Sequence, residues 1–400
     1  MQLTLLLSLL PALALAAPAP VPAPLLQPLA GSPIPGKYII RLQNQNFQTV
    51  LEGALKLLDK DPSHVYQFGN FGGFAAELSD AVVKALQRFP GVQYIEQDAV
   101  VKVNLGEPAV IEKRAYTTQS SATWGLGRIS HQSKGSTSYT YDSTAGANAC
   151  AYVIDTGIYT AHPEFEGRAI FLANFAGDGS NTDGNGHGTH CAGTIGSKTY
   201  GVAKQAKLFA VKVLDSSGSG TNSGVIAGIN YAANDAKTRS GCTAGTVGSM
   251  SLGGAKSTSV NSAVANAVSA GLFMAVAAGN ESQDSSNVSP ASETTAFTVA
   301  ASDSSDTFAS FSNYGAPVDV IAPGVSILST WLNGGTNTIS GTSMATPHVA
   351  GLAVYLLAFE GKRTPAALGA RIQTLSLKDK ITGVPSGTVN YLAFNGNPSG

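Results

Sequence analysis

Three short segments each contain a side chain that could take part in acyl transfer. Asp155 follows an apolar run, His187 lies within the small-residue segment 183–194, and Ser343 lies within the segment 340–351. Acyl transfer needs a nucleophile, a base and a carboxylate that orients the base. Together the three segments indicate a hydrolase that works through a serine nucleophile.

The local surroundings of each side chain suit this chemistry. A carboxylate at the end of the apolar run 149–154 would be desolvated and would need a partner such as an imidazolium. Glycines flank His187, so its ring can lie where backbone or substrate approaches. Ser343 begins a predicted helix, whose positive N-terminus suits a reaction that builds an oxyanion. Taken singly, Asp155 could equally close a turn, and Ser343 could simply cap a helix.

A metal site is the competing interpretation of the histidine segment. His187, His190 and Cys191 are all possible zinc ligands. Their spacing is uncommon for zinc, however, and no second ligand cluster follows. The Gly-x-Ser-x-Gly pattern of the lipase-type hydrolases is absent around Ser343.

Composition narrows the class of partner. Of the 400 residues, 12% are charged, against about 25% in ordinary globular proteins, and 45 are glycine. The formal net charge of -1 gives no electrostatic reason to expect nucleic acid or an anionic membrane as a partner. We expect protein and peptide substrates and a monomeric chain.

The N-terminus has the pattern of a secretory signal. An apolar run over 3–15 ends in Ala14-Leu15-Ala16, a small-x-small cleavage site. The run is shorter than the roughly 20 residues that span a bilayer. We therefore predict a signal peptide over residues 1–16 and an extracellular protein.

A small domain is predicted after a Pro-rich and Ala-rich linker over 18–35. Four strands and two helices give a small α+β sandwich over about 37–103. The strands are 37–42, 74–78, 92–96 and 100–103, and the helices are 47–58 and a segment capped by Ser79 that runs to Phe89. The dibasic pair Lys113-Arg114 follows, and processing after Arg114 would divide a propeptide, 17–114, from a larger domain, 115–400.

The sequence pattern of the larger domain predicts a parallel sheet covered on both faces. Apolar strands alternate with Ala-rich helical segments, which is typical of a three-layer α/β fold. The strands are 149–154, 208–214, 272–278 and 318–321, and the helices are 224–236 and 259–270. Sites in such folds form beyond the carboxyl ends of the strands, which is where Asp155 falls.

Three cysteines follow the signal segment: Cys150, Cys191 and Cys242. In a secreted chain they indicate one disulfide and one remaining thiol. The sequence alone allows three pairings.

These segments resemble the subtilases, in which the triad follows the chain order Asp, His, Ser. The segments 124–126, 161–168 and 310–315 are similar to those of the branch that contains proteinase K and the fungal cuticle-degrading proteases. The resemblance implies a three-layer catalytic domain with mainly parallel strands. It also implies that residues 37–103 are an inhibitory propeptide that assists folding and blocks the site until it is removed.

The resemblance assigns further roles by position. It implies that Asn280 completes the oxyanion hole and that two segments bind the substrate as an added strand. Those segments contain Gly218, Ser219, Gly220, Ser251, Leu252 and Gly253. Leu252, Gly253, Ala277, Ala278 and Gly279 would line S1, and an uncharged S1 implies a preference for aliphatic or aromatic P1 residues. Asn222 stands where the family branch has the aromatic rim of S4.

The remaining assignments also depend on the resemblance. It pairs Cys150 with Cys242, leaves Cys191 as a buried free thiol, and places Phe297 at a cysteine position of a second, absent disulfide. A structural calcium site would use the Asp319 carboxylate and the carbonyls of Thr294 and Ala296. Of two glycosylation sequons, we expect Asn280 to be unmodified and Asn287 to be the acceptor, because a glycan on Asn280 would block the oxyanion hole.

The sequence thus predicts a broad-specificity extracellular serine endopeptidase that needs no catalytic cofactor. Host tissue, insect cuticle and nutritive protein are all compatible substrates. A non-catalytic binding protein and a metallohydrolase are the alternatives. The four intact side chains Asp155, His187, Asn280 and Ser343 argue against the first.

Overall fold

A computed structural model describes residues 21–26, 32–43, 45–68, 71–100 and 116–400. The predicted signal peptide over 1–16 and the predicted processing site at Arg114 lie outside these residues. The chain divides into two compact units, Met1–Ile111 and Glu112–Gly400, which are described separately.

The first unit is a five-stranded sheet with two helices. Its sheet has the order β1-β5-β2-β4-β3, in which only the β1–β5 pair is parallel. The elements are β1 Leu25–Leu26, β2 Ser32–Leu42, α1 Phe47–Leu55, β3 His64–Phe68, β4 Phe71–Glu77, α2 Asp80–Gln87 and β5 Val92–Val100. Ser79 caps α2 as predicted, because its side chain accepts a hydrogen bond from the backbone N–H of Val82.

Three predictions for this unit were wrong in detail. The segment predicted to be an extended linker contributes β1 and the first residues of β2 to the sheet. The strand His64–Phe68 was missed. The predicted strands 92–96 and 100–103 are not separate: one strand, Val92–Val100, includes the first and reaches the start of the second. Strand β5 continues through residues 97–99, which separated the two predicted strands, because Gln97 and Ala99 pair with the neighbouring strand β2.

The second unit is built on a nine-stranded sheet. Its order is β19-β20-β16-β15-β13-β11-β8-β10-β9, and every pair is parallel except β19–β20. The strands are β8 Ala149–Asp155, β9 Ala169–Asn174, β10 Lys207–Lys212, β11 Gly245–Met250, β13 Phe273–Ala277, β15 Phe297–Ser302, β16 Val318–Pro323, β19 Leu377–Lys378 and β20 Tyr391–Leu392. The predicted parallel sheet is therefore confirmed, with bounds within three residues of those expected.

Helices cover both faces of this sheet. The core on one face includes buried side chains of α3, α4, α7 and α8, and the core on the other includes those of α5 and α6. The helices are α3 Trp124–Ser130, α4 His187–Gly196, α5 Asn222–Asp235, α6 Thr258–Ser269, α7 Thr342–Glu360 and α8 Pro365–Leu375. Three small antiparallel pairs complete the unit: β6 Tyr116–Gln119 with β7 Tyr139–Asp142, β12 Gly254–Ala255 with β14 Val288–Ser289, and β17 Ile327–Thr330 with β18 Thr336–Ile339.

The helices begin in two different ways. Hydroxyl side chains of Thr221, Ser257 and Thr364 cap α5, α6 and α8 by accepting a backbone N–H of the first turn. By contrast, α4 and α7 begin after the glycines Gly186 and Gly341, which have no side chain to act as a cap. The N–H groups that open these two helices are therefore available to residues from elsewhere in the chain.

Helix α7 is the longest helix among the described residues. Its length and composition would allow it to cross a membrane, but 83% of the apolar stretch is buried inside the second unit. These properties are those of a central core helix, packed against the sheet and against α4.

Candidate active site

The predicted site residues meet at the carboxyl edge of the parallel sheet. Asp155 is the last residue of β8, Ser251 directly follows β11, and Asn280 lies three residues after β13. Strands β8, β11 and β13 are consecutive in the sheet, so these strand ends are neighbours. The predicted position of the site beyond the strand ends agrees with this arrangement.

Asp155 and His187 form a short hydrogen bond. Oδ1 of the fully buried Asp155 accepts from Nδ1 of His187 at 2.7 Å and from the N–H of Thr156 at 2.7 Å. The other carboxylate oxygen, Oδ2, is buried and accepts no hydrogen bond from the described residues. The carboxylate is thus aimed at one nitrogen of the ring and leaves Nε2 to exchange protons.

The electrostatics of this pair favour a charged ring. Burial disfavours the imidazolium, but the neighbouring Asp155 carboxylate outweighs it, and the pKa of His187 lies well above its ordinary value of about 6.5. The side chain is 25% exposed, so the ring remains accessible from the cleft. The Asp155 carboxylate thus shifts the deprotonation of the ring to higher pH than in a free histidine.

Glycines make the approach of the two segments possible. An added Cβ on Gly188 would lie 2.1 Å from the carbonyl oxygen of Gly157. Gly186 has a φ of 107°, and a Cβ there would meet the Trp331 ring at 2.5 Å. Larger residues at either position would push His187 away from Asp155.

Ser343 lies in the first turn of α7, which begins one residue before the predicted start. Its Oγ donates to the carbonyl of Ser251 at 3.1 Å, and no hydrogen bond joins it to His187. Pro347 has no N–H, so the carbonyl of Ser343 lacks the donor that residue i+4 would supply in a regular helix. That carbonyl accepts instead from the Ser251 hydroxyl at 2.8 Å and from the Cys191 thiol at 3.4 Å.

Asn280 caps the same helix from outside. Its Oδ1 accepts from the N–H of Thr342 at 2.8 Å and from the Thr342 hydroxyl at 2.9 Å. The side-chain amide is thereby oriented, and its Nδ2 donates to no described residue. An exposed N–H₂ group beside a helix N-terminus is suited to binding a developing negative charge.

A cleft of about 560 Å³ adjoins His187. Its lining includes no Asp, Glu, Lys or Arg. The predicted substrate segments supply Gly218, Ser219, Gly220, Ser251, Leu252 and Gly253, and Asn222 also lines the cleft. Ala277, Ala278 and Gly279, predicted to line S1, are buried and are not among the residues that line it.

Comparison with known proteins agrees with this geometry. The sequence model of the Subtilase family matches residues 147–388. This chain belongs to the Subtilase family. The model of Peptidase inhibitor I9 matches residues 37–104 of the same chain, so this subtilase is a serine protease made as a zymogen with an inhibitor-type propeptide.

The relatives and the solved structure compared with this subtilase match 69% to 99% of its length. A cuticle-degrading protease of Metarhizium anisopliae is 55% identical over 99% of this chain and 100% of the relative. Proteinase T of Parengyodontium album is 55% identical over 77% of this chain and 100% of the relative. The crystal structure of a cold adapted subtilisin-like serine proteinase matches with a TM-score of 0.66 at 44% identity, covering 69% of this chain and 99% of that one.

The cysteines of this subtilase are paired as the resemblance implied. Cys150 and Cys242 form a disulfide, and Cys191 is a buried free cysteine. Burial raises the pKa of the Cys191 thiol, which keeps it protonated at neutral pH. Of the described residues, Asp155, His187 and Cys191 each offer a possible metal-ligand atom within 4.8 Å of one another. His190 is not in this group, and its Nε2 lies 2.9 Å from the carbonyl oxygen of Ile327.

The predicted calcium ligands lie together. The partly buried carboxylate of Asp319 lines a cavity of about 370 Å³ with Thr294, Ala296 and Phe297. Its Oδ2 accepts the N–H of Thr298 at 2.8 Å, and burial raises the pKa of Asp319 to about 6. A desolvated carboxylate is an oxygen ligand that fits a hard cation such as calcium, and Thr294 and Ala296 line the same cavity.

Several contributors to the site were not identified from the sequence. Thr342 orients Asn280, and the carbonyl of Ser251 accepts from Ser343. A hydrogen bond between Thr156 and Asp183 connects the segments that contain Asp155 and His187. Both threonines and Asp183 stand inside or beside the three motifs, but nothing in their residue type distinguishes them from ordinary turn residues.

Proposed function

We propose that this subtilase is a secreted endopeptidase of broad specificity, with Asp155, His187 and Ser343 as its catalytic triad. The observation that carries the proposal is the 2.7 Å contact between Asp155 and His187 next to a cleft that Ser251 and Gly218–Gly220 line. The direct test is to treat the mature chain with a fluorophosphonate probe. Labelling at Ser343 is expected, and a processed, folded chain that is not labelled would overturn the assignment.

The reaction proceeds by acyl transfer. Ser343 Oγ attacks the scissile carbonyl carbon while its proton passes to Nε2 of His187, and the carbonyl oxygen becomes an oxyanion. The C–N bond then breaks as His187 returns the proton to the leaving amine. Water repeats the sequence on the acyl-enzyme and releases the acid. Asp155 holds the ring tautomer throughout and stabilises the imidazolium.

Substrate binding also prepares the nucleophile. A peptide that adds as a strand to the segment beginning at Ser251 offers an N–H donor to that backbone. Ser343 Oγ donates to the same Ser251 carbonyl at 3.1 Å. A substrate N–H at this carbonyl would compete with the hydroxyl and favour its rotation toward His187.

The cleft favours uncharged P1 side chains. Leu252, Val225 and Val260 supply apolar surface, and no Asp, Glu, Lys or Arg lines the cleft, so we expect aliphatic and aromatic residues at P1. Asn222 is exposed at the first position of α5, and its polar amide offers no aromatic rim for strong S4 selectivity. Cleavage of a peptide library would test both preferences.

We also propose that the chain is secreted, as a monomer, and that its I9-type domain inhibits the mature enzyme until it is removed after Arg114. The signal-like segment and the disulfide support an oxidising extracellular destination. The similarity to a cuticle-degrading protease makes structural proteins of a host or of insect cuticle reasonable substrates. Asn287 is exposed and is the proposed glycan acceptor, whereas a glycan on Nδ2 of Asn280 would block the oxyanion hole.

Replacing Asn280 with alanine is expected to lower kcat by about 10²–10³-fold with little change in KM, which is the loss established for this donor in subtilisin, the family's namesake. The donor acts on the oxyanion and contributes little in the ground state. Steady-state kinetics on a peptide substrate measure the effect, with Asn287→Ala as the control. A variant that raises KM and keeps kcat would show that Asn280 binds substrate instead.

We propose calcium as a structural ligand of Asp319, Thr294 and Ala296. Chelation is expected to lower the Tm of the native chain but not that of Asp319→Asn, because a ligand at 100 times its Kd stabilises a fold by about 2.7 kcal/mol. The raised pKa makes ionisation of Asp319 costly in the metal-free protein, so folding stability falls as pH rises through about 6. Calcium should therefore stabilise the protein more at pH 8 than at pH 5, and equal Tm losses in both proteins would contradict the site.

A further inference from the structure

Asp183 is a buried carboxylate to which the mechanism above gives no role. It lies four residues before His187 and is 3% exposed. None of the ion pairs formed by the described residues includes it. A carboxylate in such a place must be satisfied by hydrogen bonds, and their donors indicate what it holds.

Five donors converge on Asp183, and they come from two separate segments. Its Oδ1 accepts from the Thr156 hydroxyl and from the N–H groups of Asn185 and Gly186, each at 2.9 Å. Its Oδ2 accepts from the N–H of Thr189 at 2.9 Å and from the Thr189 hydroxyl at 2.6 Å. One side chain thus binds both the segment after Asp155 and the segment around His187.

On the side of Asp155, the contact is made through Thr156. The N–H of Thr156 donates to the same Asp155 oxygen that receives His187. Its carbonyl accepts from the buried Lys212 ammonium at 2.9 Å. Because Asp183 fixes the hydroxyl as well, every polar group of Thr156 is engaged, and the position of Asp155 is fixed with it.

On the side of His187, Asp183 supplies the missing cap of α4. The helix begins after Gly186, which has no side chain. The N–H of His187 donates to Asn185 Oδ1 at 3.2 Å, that of Gly188 to Thr156 Oγ1 at 2.9 Å, and that of Thr189 to Asp183. A negative charge at this end of a helix is also favourable to its dipole.

We propose that Asp183 is a positioning residue for the proteolytic reaction, which sets the geometry between Asp155 and His187 by binding both of their segments. The proposal rests on the proposed function of that pair. Asp183 is not among the residues that line the cleft, so it acts through Thr156 and Thr189. A displacement of about 1 Å at reacting groups can cost about 10²-fold in rate, and this is the size of effect that positioning can have.

The test compares Asp183→Asn with Asp142→Asn in the mature enzyme. Asparagine keeps the shape of Asp183 but presents an N–H₂ group to N–H and hydroxyl donors. We expect kcat to fall roughly 10- to 100-fold with KM within about twofold, and the acid limb of the kcat/KM profile to move to lower pH as the Asp155 contact loosens. Asp142 is 4% exposed and caps its own turn through the N–H of Thr144, so its variant should leave both readouts unchanged.

A second pair of variants covers the case in which Asp183→Asn fails to mature. Thr189→Val removes the 2.6 Å hydrogen bond to Asp183 and keeps the side-chain shape, whereas Thr189→Ser retains the hydroxyl. We expect the valine variant to lower kcat and move the acid limb, and the serine variant to restore both. The Thr189 hydroxyl also accepts the N–H of Tyr159, so the valine variant loses this hydrogen bond as well. A lower kcat alone could come from either loss, and the shift of the acid limb is therefore the deciding measurement.

The outcomes separate this proposal from the proposed function. A wild-type enzyme that a fluorophosphonate does not label would overturn the triad itself. A labelled wild-type enzyme, together with an Asp183→Asn variant that matches Asp142→Asn in kcat and pH profile, would overturn only the positioning role. If Asp183→Asn does not mature, equal activity and pH profiles in Thr189→Val and Thr189→Ser would overturn it.

Discussion

Replacing Ser343 with alanine is expected to lower kcat by about 10⁶-fold, the size of loss found for the nucleophile of subtilisin, the namesake of this family. The side chain carries the attacking oxygen, which alanine lacks. Its single hydrogen bond goes to the Ser251 carbonyl, so stability should change little. Activity assays and thermal unfolding of the same preparation measure the two effects.

Ser340→Ala is the matched control for this variant. Ser340 is exposed three residues earlier and accepts the N–H of Ser326, so its loss should leave kcat unchanged. Fluorophosphonate labelling should disappear in Ser343→Ala and persist in Ser340→Ala. If Ser343→Ala were still labelled at another residue and retained activity, the nucleophile would have to be sought there.

Replacing Asp155 with asparagine is expected to lower kcat by about 10⁴-fold, because the amide no longer holds His187 in the required tautomer. The pH profile adds a second readout. The base must be neutral, so activity of the native enzyme falls as pH drops through the pKa of His187, which lies above its ordinary value. Removing the carboxylate lowers that pKa, so the acid limb should move to lower pH.

Kinetics from pH 5 to pH 10 on Asp155→Asn, with Asp303→Asn as a control, measure both effects. Asp303 accepts N–H groups of its own turn, from Ser305 and Thr307, and its variant should follow the native profile. An acid limb that stays in place in Asp155→Asn would show that a group other than the Asp155–His187 pair sets it.

The predicted part of the fold is the part that depends on local pattern. The apolar strands of the large sheet and the helix capped by Ser79 were predicted because apolar runs and helix caps involve residues that are close together in the sequence. The strand predicted to start at 74 begins at Phe71 and includes Gly72 and Gly73, a residue type that is depleted in strands. Gly73 is required there: an added Cβ would lie 2.1 Å from the carbonyl oxygen of Ile40 on the paired strand.

In the candidate site, too, local motifs were predicted and contacts between distant residues were not. Asp155, His187 and Ser343 were found by residue type and motif, and the disulfide between Cys150 and Cys242 needed the family resemblance to choose among three pairings. The hydrogen bonds that arrange the site join side chains to backbone groups far away in the chain, as from the Ser343 hydroxyl to the carbonyl of Ser251, 92 residues away. A carbonyl acceptor is present in every residue, so no sequence pattern marks the one that is used.

Pro347 has a consequence for what holds Ser343 in place. By withholding one N–H, it disconnects the carbonyl of Ser343 from its own helix and leaves it to Ser251 and Cys191. Those partners belong to the end of β11 and to α4, which also begins with His187. The carbonyl of Ser343 is therefore held by the segment that binds substrate and by the helix that carries the base, and not by the next turn of α7.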